Sequence, residues 1–374
     1  MKKILLTCTD LMAVQFFIDH IKFWSTNGCA VDIVCSPVGN RVDELIKKLE
    51  DLSSATIKTV QLSRSPVKLS NLKGYKQLKK IIKEADYDLI ITNEPVMGLM
   101  TRLAARKSGV KVIYICHGFH FFKGNNGIKN FIFRTIEKFA ARYTDILVTI
   151  NHEDFEASKK FKLKKGGSFK YIPGIGVNLK RFSPVNAEKR EELRNALGIK
   201  PNEIALVAVA ELNQNKNQQI LIRGIAKLKN NNIKLFLVGK GDNEENLVGL
   251  AKSLGVENQV VLLGYRHDVP QILPAFDIGT SASKREGLPL NLIEEMASGL
   301  PIIASINRGH KEIVQEKGGF LFNANDLDSF VNALESLLVA DKRIEMGKFN
   351  IQSCRRFELE KVESMLFKII EEEF

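Results

Sequence analysis

Lys284-Arg285-Glu286-Gly287-Leu288-Pro289-Leu290-Asn291-Leu292-Ile293-Glu294, continuing Glu295-Met296-Ala297-Ser298-Gly299-Leu300-Pro301, reads as a loop, a helix and a helix stop in succession. Pro289 predicts the first helical turn, because its missing N–H would be unpaired there and its φ is already helical. Gly299, two residues before Pro301, predicts a left-handed helix terminus. Ile302-Ile303-Ala304 then has the look of a buried strand. Glu286 therefore falls in the loop ahead of the helix and Glu294 inside it. Free N–H groups at a helix N-terminus make a ready anion site. Carboxylates flanking it are acceptors suited to hydroxyl groups. Phosphate beside polyol is the chemistry of a sugar nucleotide; the competing reading is a surface helix with solvated glutamates.

The stretch belongs to a repeating pattern. Apolar runs alternate with helical periodicity along the chain, the signature of parallel βα units and an α/β fold. In the first half, strands are predicted at 3–8, 30–35, 56–61, 88–92, 110–116 and 145–150. Amphipathic stretches such as Leu72–Glu84 and Val96–Arg106 fall between them. A second set is predicted at 204–209, 233–238, 259–263, 278–280, 301–304 and 319–322, followed by helical patterns at 326–339, 341–353 and 358–372. Between the sets, the Gly- and Pro-rich run from Ile172 to Pro184 reads as a linker. A chain of 374 residues has room for two domains with separate cores. Neither half carries Gly-x-Gly-x-x-Gly after a strand, which argues against a dinucleotide oxidoreductase.

Composition narrows the class further. No segment reaches the ~18 apolar residues of a membrane span. The basic-then-apolar start, Met1 to Cys8, is interrupted by Asp10 and reads as a first strand rather than a leader. Five cysteines (Cys8, Cys29, Cys35, Cys116 and Cys354) lack metal spacing, so buried, reduced thiols in a cytosolic protein are expected. His117-Gly118-Phe119-His120 has no supporting carboxylate, and no metal is expected. Charge is uneven: residues 1–180 hold 30 Lys and Arg against 16 Asp and Glu, while residues 181–374 hold 25 against 27. A basic half beside a near-neutral half predicts that the first half meets a polyanion or an anionic membrane. The basic residues are spread over many elements without a nucleic-acid motif, so no nucleic acid is expected.

Embedded in Glu-Gly-x-Pro before the helix and Ala-Ser-Gly-x-Pro after it, Glu286 and Glu294 resemble the Glu-x7-Glu signature of retaining glycosyltransferases of family 4. The linker is similar to that family's Pro-x-Gly-Val-Asp-x-x-x-Phe-x-Pro crossover, with Asn178 for Asp. The resemblance implies the GT-B fold, two Rossmann-like parallel-sheet domains facing each other across a cleft. It places the acceptor-binding domain at 1–172 and the donor-binding domain at 173–357, with 358–374 returning to the first. It implies transfer of a hexose from a nucleotide-diphosphate sugar, UDP-sugar favoured, with retention and no metal. Lys216 matches the lysine of the family's Gly-Arg-x4-Lys motif, and His117 its donor-sugar histidine. The resemblance makes His117, Glu286 and Lys216 the catalytic candidates. Glu286 would hold sugar hydroxyls, Glu294 the ribose hydroxyls, and the Gly287-Leu288-Pro289-Leu290 segment the diphosphate. Val238-Gly239-Lys240-Gly241 resembles the family's Val-Gly-x-Gly turn, and Tyr265 sits where its base-binding backbone lies; Gly239 can equally be a tight-turn glycine and Tyr265 rim packing.

The chain also departs from that pattern. Glu211 replaces the motif's arginine, and a carboxylate does not bind phosphate, so Arg285 and Arg266 are candidate replacements. Thr7 to Met12 replaces the usual Gly-Gly turn near the acceptor. Arg64-Ser65-Pro66 and Asn93-Glu94-Pro95 are further edge candidates, chosen because they follow predicted strands. Asn213 or Asn215 is expected to cap the helix after strand 204–209, with Lys216 near its N-terminus. Aromatics and cations interleave through Phe121-Phe122-Lys123 and Ile128 to Arg134, suiting an anionic membrane interface or, equally, a core with a solvated rim. The basic first half and these interleaved aromatics predict a lipid-linked acceptor at the cytoplasmic membrane face; the resemblance to bacterial capsule and exopolysaccharide enzymes implies that it is a polyprenyl-diphosphate-linked saccharide. The alternatives are a nucleotide-sugar 2-epimerase of GT-B fold and a non-catalytic sugar-nucleotide-binding subunit.

Overall fold

The computed structural model describes residues 1–37, 46–47, 49, 55–63, 65 and 68–374. The chain divides into two compact units, one of Met1–Ile175 with Glu360–Phe374 and one of Gly176–Leu359. Each is built on one parallel sheet.

The first unit's strands are β1 (Lys2–Asp10), β2 (Cys29–Ser36), β3 (Ala55–Thr59), β4 (Leu89–Asn93), β5 (Lys111–Cys116), β6 (Ile146–Thr149) and β7 (Ser168–Tyr171). They lie in the order β3-β2-β1-β4-β5-β6-β7. Strand β7 is absent from the sequence expectation: Ser168-Phe169-Lys170-Tyr171 is a half-exposed edge strand without an apolar run. The central strands are buried on both faces, as helices on either side require; every residue of Leu89–Asn93 is buried. Arg102, fully buried, pairs with Glu137 at 3.0 Å and lies over the Tyr114 ring at 3.9 Å. This desolvated pair ties the Pro95–Ala105 helix to the Gly127–Ala141 helix. The terminal Leu359–Glu371 helix belongs mainly to this unit. Phe367 packs edge-on against Phe23, and beyond the helix Glu372 and Glu373 each pair at 3.0 Å with Lys170 and Lys111.

The second unit's strands are β8 (Ile204–Val209), β9 (Ile233–Val238), β10 (Val260–Gly264), β11 (Ile278–Ser281), β12 (Ile302–Ser305) and β13 (Gly319–Phe322). Their order, β10-β9-β8-β11-β12-β13, reverses direction between β8 and β11, the switch point at which open α/β sheets bind ligands. Leu206, Leu235, Leu237, Ile278 and Ile303 form the core with Phe330. A Cβ at Gly224 would fall 2.2 Å from the Phe330 ring, so only glycine lets the Gln219–Leu228 and Leu327–Glu335 helices approach.

The helix of the opening stretch runs Leu290–Ala297, and Gly299 follows it at φ 84°. Pro289 stands one residue earlier than predicted, at the N-cap with extended ψ, so its ring closes the loop rather than the first turn. All five cysteines are buried, and none is in a disulfide. No helix among the described residues is long and apolar enough to cross a membrane.

Candidate functional site

Three neighbouring strands of the second unit deliver the site. The loop after β8 turns on Asn213, whose side-chain oxygen accepts from the N–H groups of Asn215 and Lys216 at 3.0 Å. Asn213 therefore caps this turn and not the following helix, which starts at Gln219 without a side-chain cap. Lys216 accordingly precedes the helix instead of sitting in its first turn. The loop is stitched to the one after β11: Lys284 N donates to Asn215 O at 2.8 Å, and Asn215 Nδ2 donates to Arg285 O at 3.1 Å. This seam brings Lys216 Nζ to 2.6 Å from Glu286 Oε1, with both side chains mostly buried.

The third strand, β12, leads into the Arg308–Ile313 helix, capped by Asn307 Oδ1 accepting from His310 N. A Cβ at Gly309 would come within 2.8 Å of Glu286 Cβ and 3.0 Å of Gly287 O. The two backbones can meet this closely only because position 309 has no side chain. Buried Arg308 donates from Nε to Glu286 O at 3.3 Å. His310 is also buried, with Nδ1 2.6 Å from the Ser305 carbonyl, so Nδ1 carries the proton. Its Nε2 is buried without a hydrogen-bond partner. Burial pushes His310 down to about 4 despite the nearby Glu286 carboxylate, leaving a neutral ring at pH 7. Arg285 is lowered by burial and by the Arg308 charge beside it.

Glu294 lies one helix turn in. Burial pushes its carboxyl up to about 7, with Arg181 pulling the other way. Next to it, Glu295 is fully buried against Gly279 of β11, and burial raises it further above the carboxylate range than Asn291 and the Val209 backbone can offset. Gly239 has φ 145°, and a Cβ there would fall 2.0 Å from Ala210 O, so this glycine is demanded by packing against the end of β8. Tyr265 is exposed and meets His267 edge-on. Arg266 is engaged by Asp268, Nε to Oδ1 at 2.8 Å.

In the first unit, the ends of β1, β4 and β5 also converge. His117 Nε2 lies 3.1 Å from Asn93 Oδ1, and its ring meets Phe17 edge-on. Burial, with His20 nearby, pushes His117 down to about 4. Glu94 adopts φ 62°, unusual for a non-glycine, and its carboxylate accepts from Thr9 N at 2.6 Å. His120 packs against Phe133. Of Arg64-Ser65-Pro66, Arg64 and Pro66 lie outside the described residues. Among the described residues, no three His, Cys, Asp or Glu side chains gather as a metal site.

Residues 189–351 match the family model described as glycosyl transferases group 1, and residues 5–151 the one described as glycosyl transferase 4-like. EpsD of Bacillus subtilis, named as a glycosyltransferase, is 39% identical over 75% of this chain and 74% of its own length. The chain is a glycosyltransferase of this family. An Escherichia coli relative, named as UDP-Gal:alpha-D-GlcNAc-diphosphoundecaprenol alpha-1,3-galactosyltransferase, is 30% identical to the glycosyltransferase over 87% of this chain and 83% of its own. HepE of Anabaena, solved with UDP and glucose, superposes with a TM-score of 0.82 over 100% of both chains at 20% identity. The glycosyltransferase thus has the GT-B fold, as its two parallel sheets indicate.

Glu286, Lys216 and Arg285, donor-site candidates from the sequence, meet in one loop cluster of the second unit. Arg308 and His310, absent from that expectation, lie beside them. The signal available for them was Asn307-Arg308-Gly309 directly after a buried strand, a cap followed by a glycine.

Proposed function

We propose that this glycosyltransferase moves a hexose from a UDP-sugar to a polyprenyl-diphosphate-linked saccharide during surface polysaccharide synthesis, with retention at the anomeric carbon. The observation that carries the reading is the Lys216–Glu286 contact at the β8/β11 switch point, where a cation and a carboxylate meet beside a helix N-terminus. In the donor complex Lys216 turns from Glu286 to the diphosphate and stabilises the negative charge that grows on the leaving group. The amides of Gly287, Leu288 and Leu290 add donors there; Pro289 has none. Glu286, released, accepts from sugar hydroxyls, and Glu294 from the ribose. Neutral His117 orients the donor sugar. Retention proceeds from one face, the departing phosphate taking the acceptor's proton, without a metal. The names of the E. coli relative and of the UDP-bound HepE structure support the donor nucleotide, and the former the acceptor class.

The Gly127–Ala141 helix supports a lipid acceptor. Ile128 and Phe131, each 73% exposed, continue through Ile132, Ile136 and Phe139 as one apolar stripe. Lys129, Arg134, Lys138 and Arg142 are exposed around it. An apolar stripe flanked by cations suits the headgroup boundary of an anionic membrane. Phe121, by contrast, is buried and stacked on Phe119, so the sequence run divides into core and exposed face.

The test is transfer from a panel of UDP-hexoses to short polyprenyl-diphosphate saccharides, with the anomeric product assigned by NMR. An α-linked product from an α-donor is expected. Turnover of the donor to an epimer without acceptor, or an inverted product, overturns the reading.

A further inference from the structure

Glu211 occupies the position where the resembled motif carries a phosphate-binding arginine. Its side chain is exposed and accepts from Asn213 Nδ2 at 3.0 Å, so it turns back onto its own loop. Arg266, one sequence candidate for the missing charge, is held by Asp268 two residues on. The charge that the fold does bring to the site comes from another strand. We propose that Arg308 is the second diphosphate-binding cation of the donor site and takes the role that position 211 has given up; this rests on the donor reading above.

Three observations carry it. Strand β12 pairs with β11, so the segment beyond β12 emerges beside the loop bearing Glu286. The bare Cα of Gly309 lets that segment press on Glu286 and Gly287, which brings Arg308 Nε to the Glu286 carbonyl. Lys216 pairs with the Glu286 carboxylate, Arg308 reaches the Glu286 carbonyl, Arg285 feels the charges of both Glu286 and Arg308, and adjacent His310 is neutral. Three cations brought to one loop cluster suit a nucleoside diphosphate ester. A guanidinium also offers paired N–H donors in the geometry of phosphate oxygens, which Lys216 cannot. The Arg308 side chain is already ordered by burial, so little freedom is lost on binding.

Calorimetric titration of the full chain with UDP and with UMP tests the proposal, because only UDP has the second phosphate. Arg308→Gln is expected to weaken UDP roughly 10- to 100-fold, as for loss of a charged hydrogen-bond partner. UMP binding should change less than about threefold, which also reports that the site remains folded. Arg308→Lys, the milder variant, should fall between parent and Arg308→Gln. Adding Glu211→Arg to Arg308→Gln should recover UDP affinity by returning the cation to the β8 loop. If Arg308→Gln leaves the UDP-to-UMP ratio unchanged while Lys216→Gln collapses it, Arg308 is not a diphosphate ligand and the donor site stands. If the parent binds neither nucleotide, the donor reading itself fails, and this inference with it.

Discussion

Glu294, held at about 7, makes donor binding a titration in the physiological range. Ribose hydroxyls donate to the carboxylate, so they favour its ionised form and bind it in preference. With a midpoint of about 7, the free carboxyl is about 10% ionised at pH 6 and about 90% at pH 8. UDP-hexose affinity should therefore rise about ninefold between these values, and binding at pH 7 should release about half a proton. A UDP-hexose is the right probe, because its phosphates are both esterified on the bridge and do not titrate here, whereas a terminal phosphate does so near about 6. Titration calorimetry in two buffers of different ionisation enthalpy reads both numbers. Glu294→Gln should flatten the profile and bind at every pH more weakly than the parent does at pH 8. The same shift bears on stability. The folded value lies above the ordinary 4.5, so the folded state keeps the proton longer. Its contribution is fully present below about 4.5 and is lost as pH rises through about 7, roughly 3 kcal/mol in all. Affinity that is flat or falling from pH 6 to 8, with Glu294→Gln binding like the parent, would refute the assignment of Glu294 to the ribose.

Three further outcomes follow from the geometry. Both Glu295 oxygens are buried, and neither Asn291 nor the Val209 backbone reaches them with full hydrogen-bond geometry. Glu295→Met should therefore stabilise the second unit by about 2 kcal/mol, raising its melting temperature by roughly 4–8 °C; a drop would show that the carboxyl is satisfied in solution. Gly309→Ala forces a methyl against Glu286 and should cost about 1–3 kcal/mol and weaken UDP at least about tenfold, and an unchanged melt and isotherm would mean that the close approach is dispensable. Phe131→Ser with Phe139→Ser removes exposed apolar area, so the melt should hold while flotation with anionic vesicles falls at least about tenfold. Equal flotation of parent and variant would remove this helix from the membrane contact.

The fold was legible where physics acts locally. Strands such as Leu89–Asn93 and Ile233–Val238 are mostly apolar because helices cover both faces of a parallel sheet, and that burial is written in near-consecutive residues. Strand β7 was not legible, because an edge strand of four half-exposed residues needs no such run. The helix Leu290–Ala297 and its glycine stop were readable from capping chemistry, with Pro289 displaced by one residue. Lys216 is legible as a cation near a helix N-terminus, but Asn213 takes the two N–H groups that a helix cap would take, and delays the helix to Gln219.

What remained hidden depends on the order of strands rather than their composition. Glu286 and Arg308 are 22 residues apart, and Lys216 and Glu286 70 apart, and nothing local to any of them says that the three meet. They meet because β11 lies between β8 and β12, so three consecutive strand ends in space open onto one loop cluster. A missing arginine at position 211 can be seen in the sequence as a gap in a motif. A candidate to fill it is visible only once β12 is known to lie beside β11, and once Gly309 is seen against Glu286. In such a site a lost charge need not be restored at its own position. Any neighbouring strand end can supply it, provided a glycine allows the backbone to come close enough.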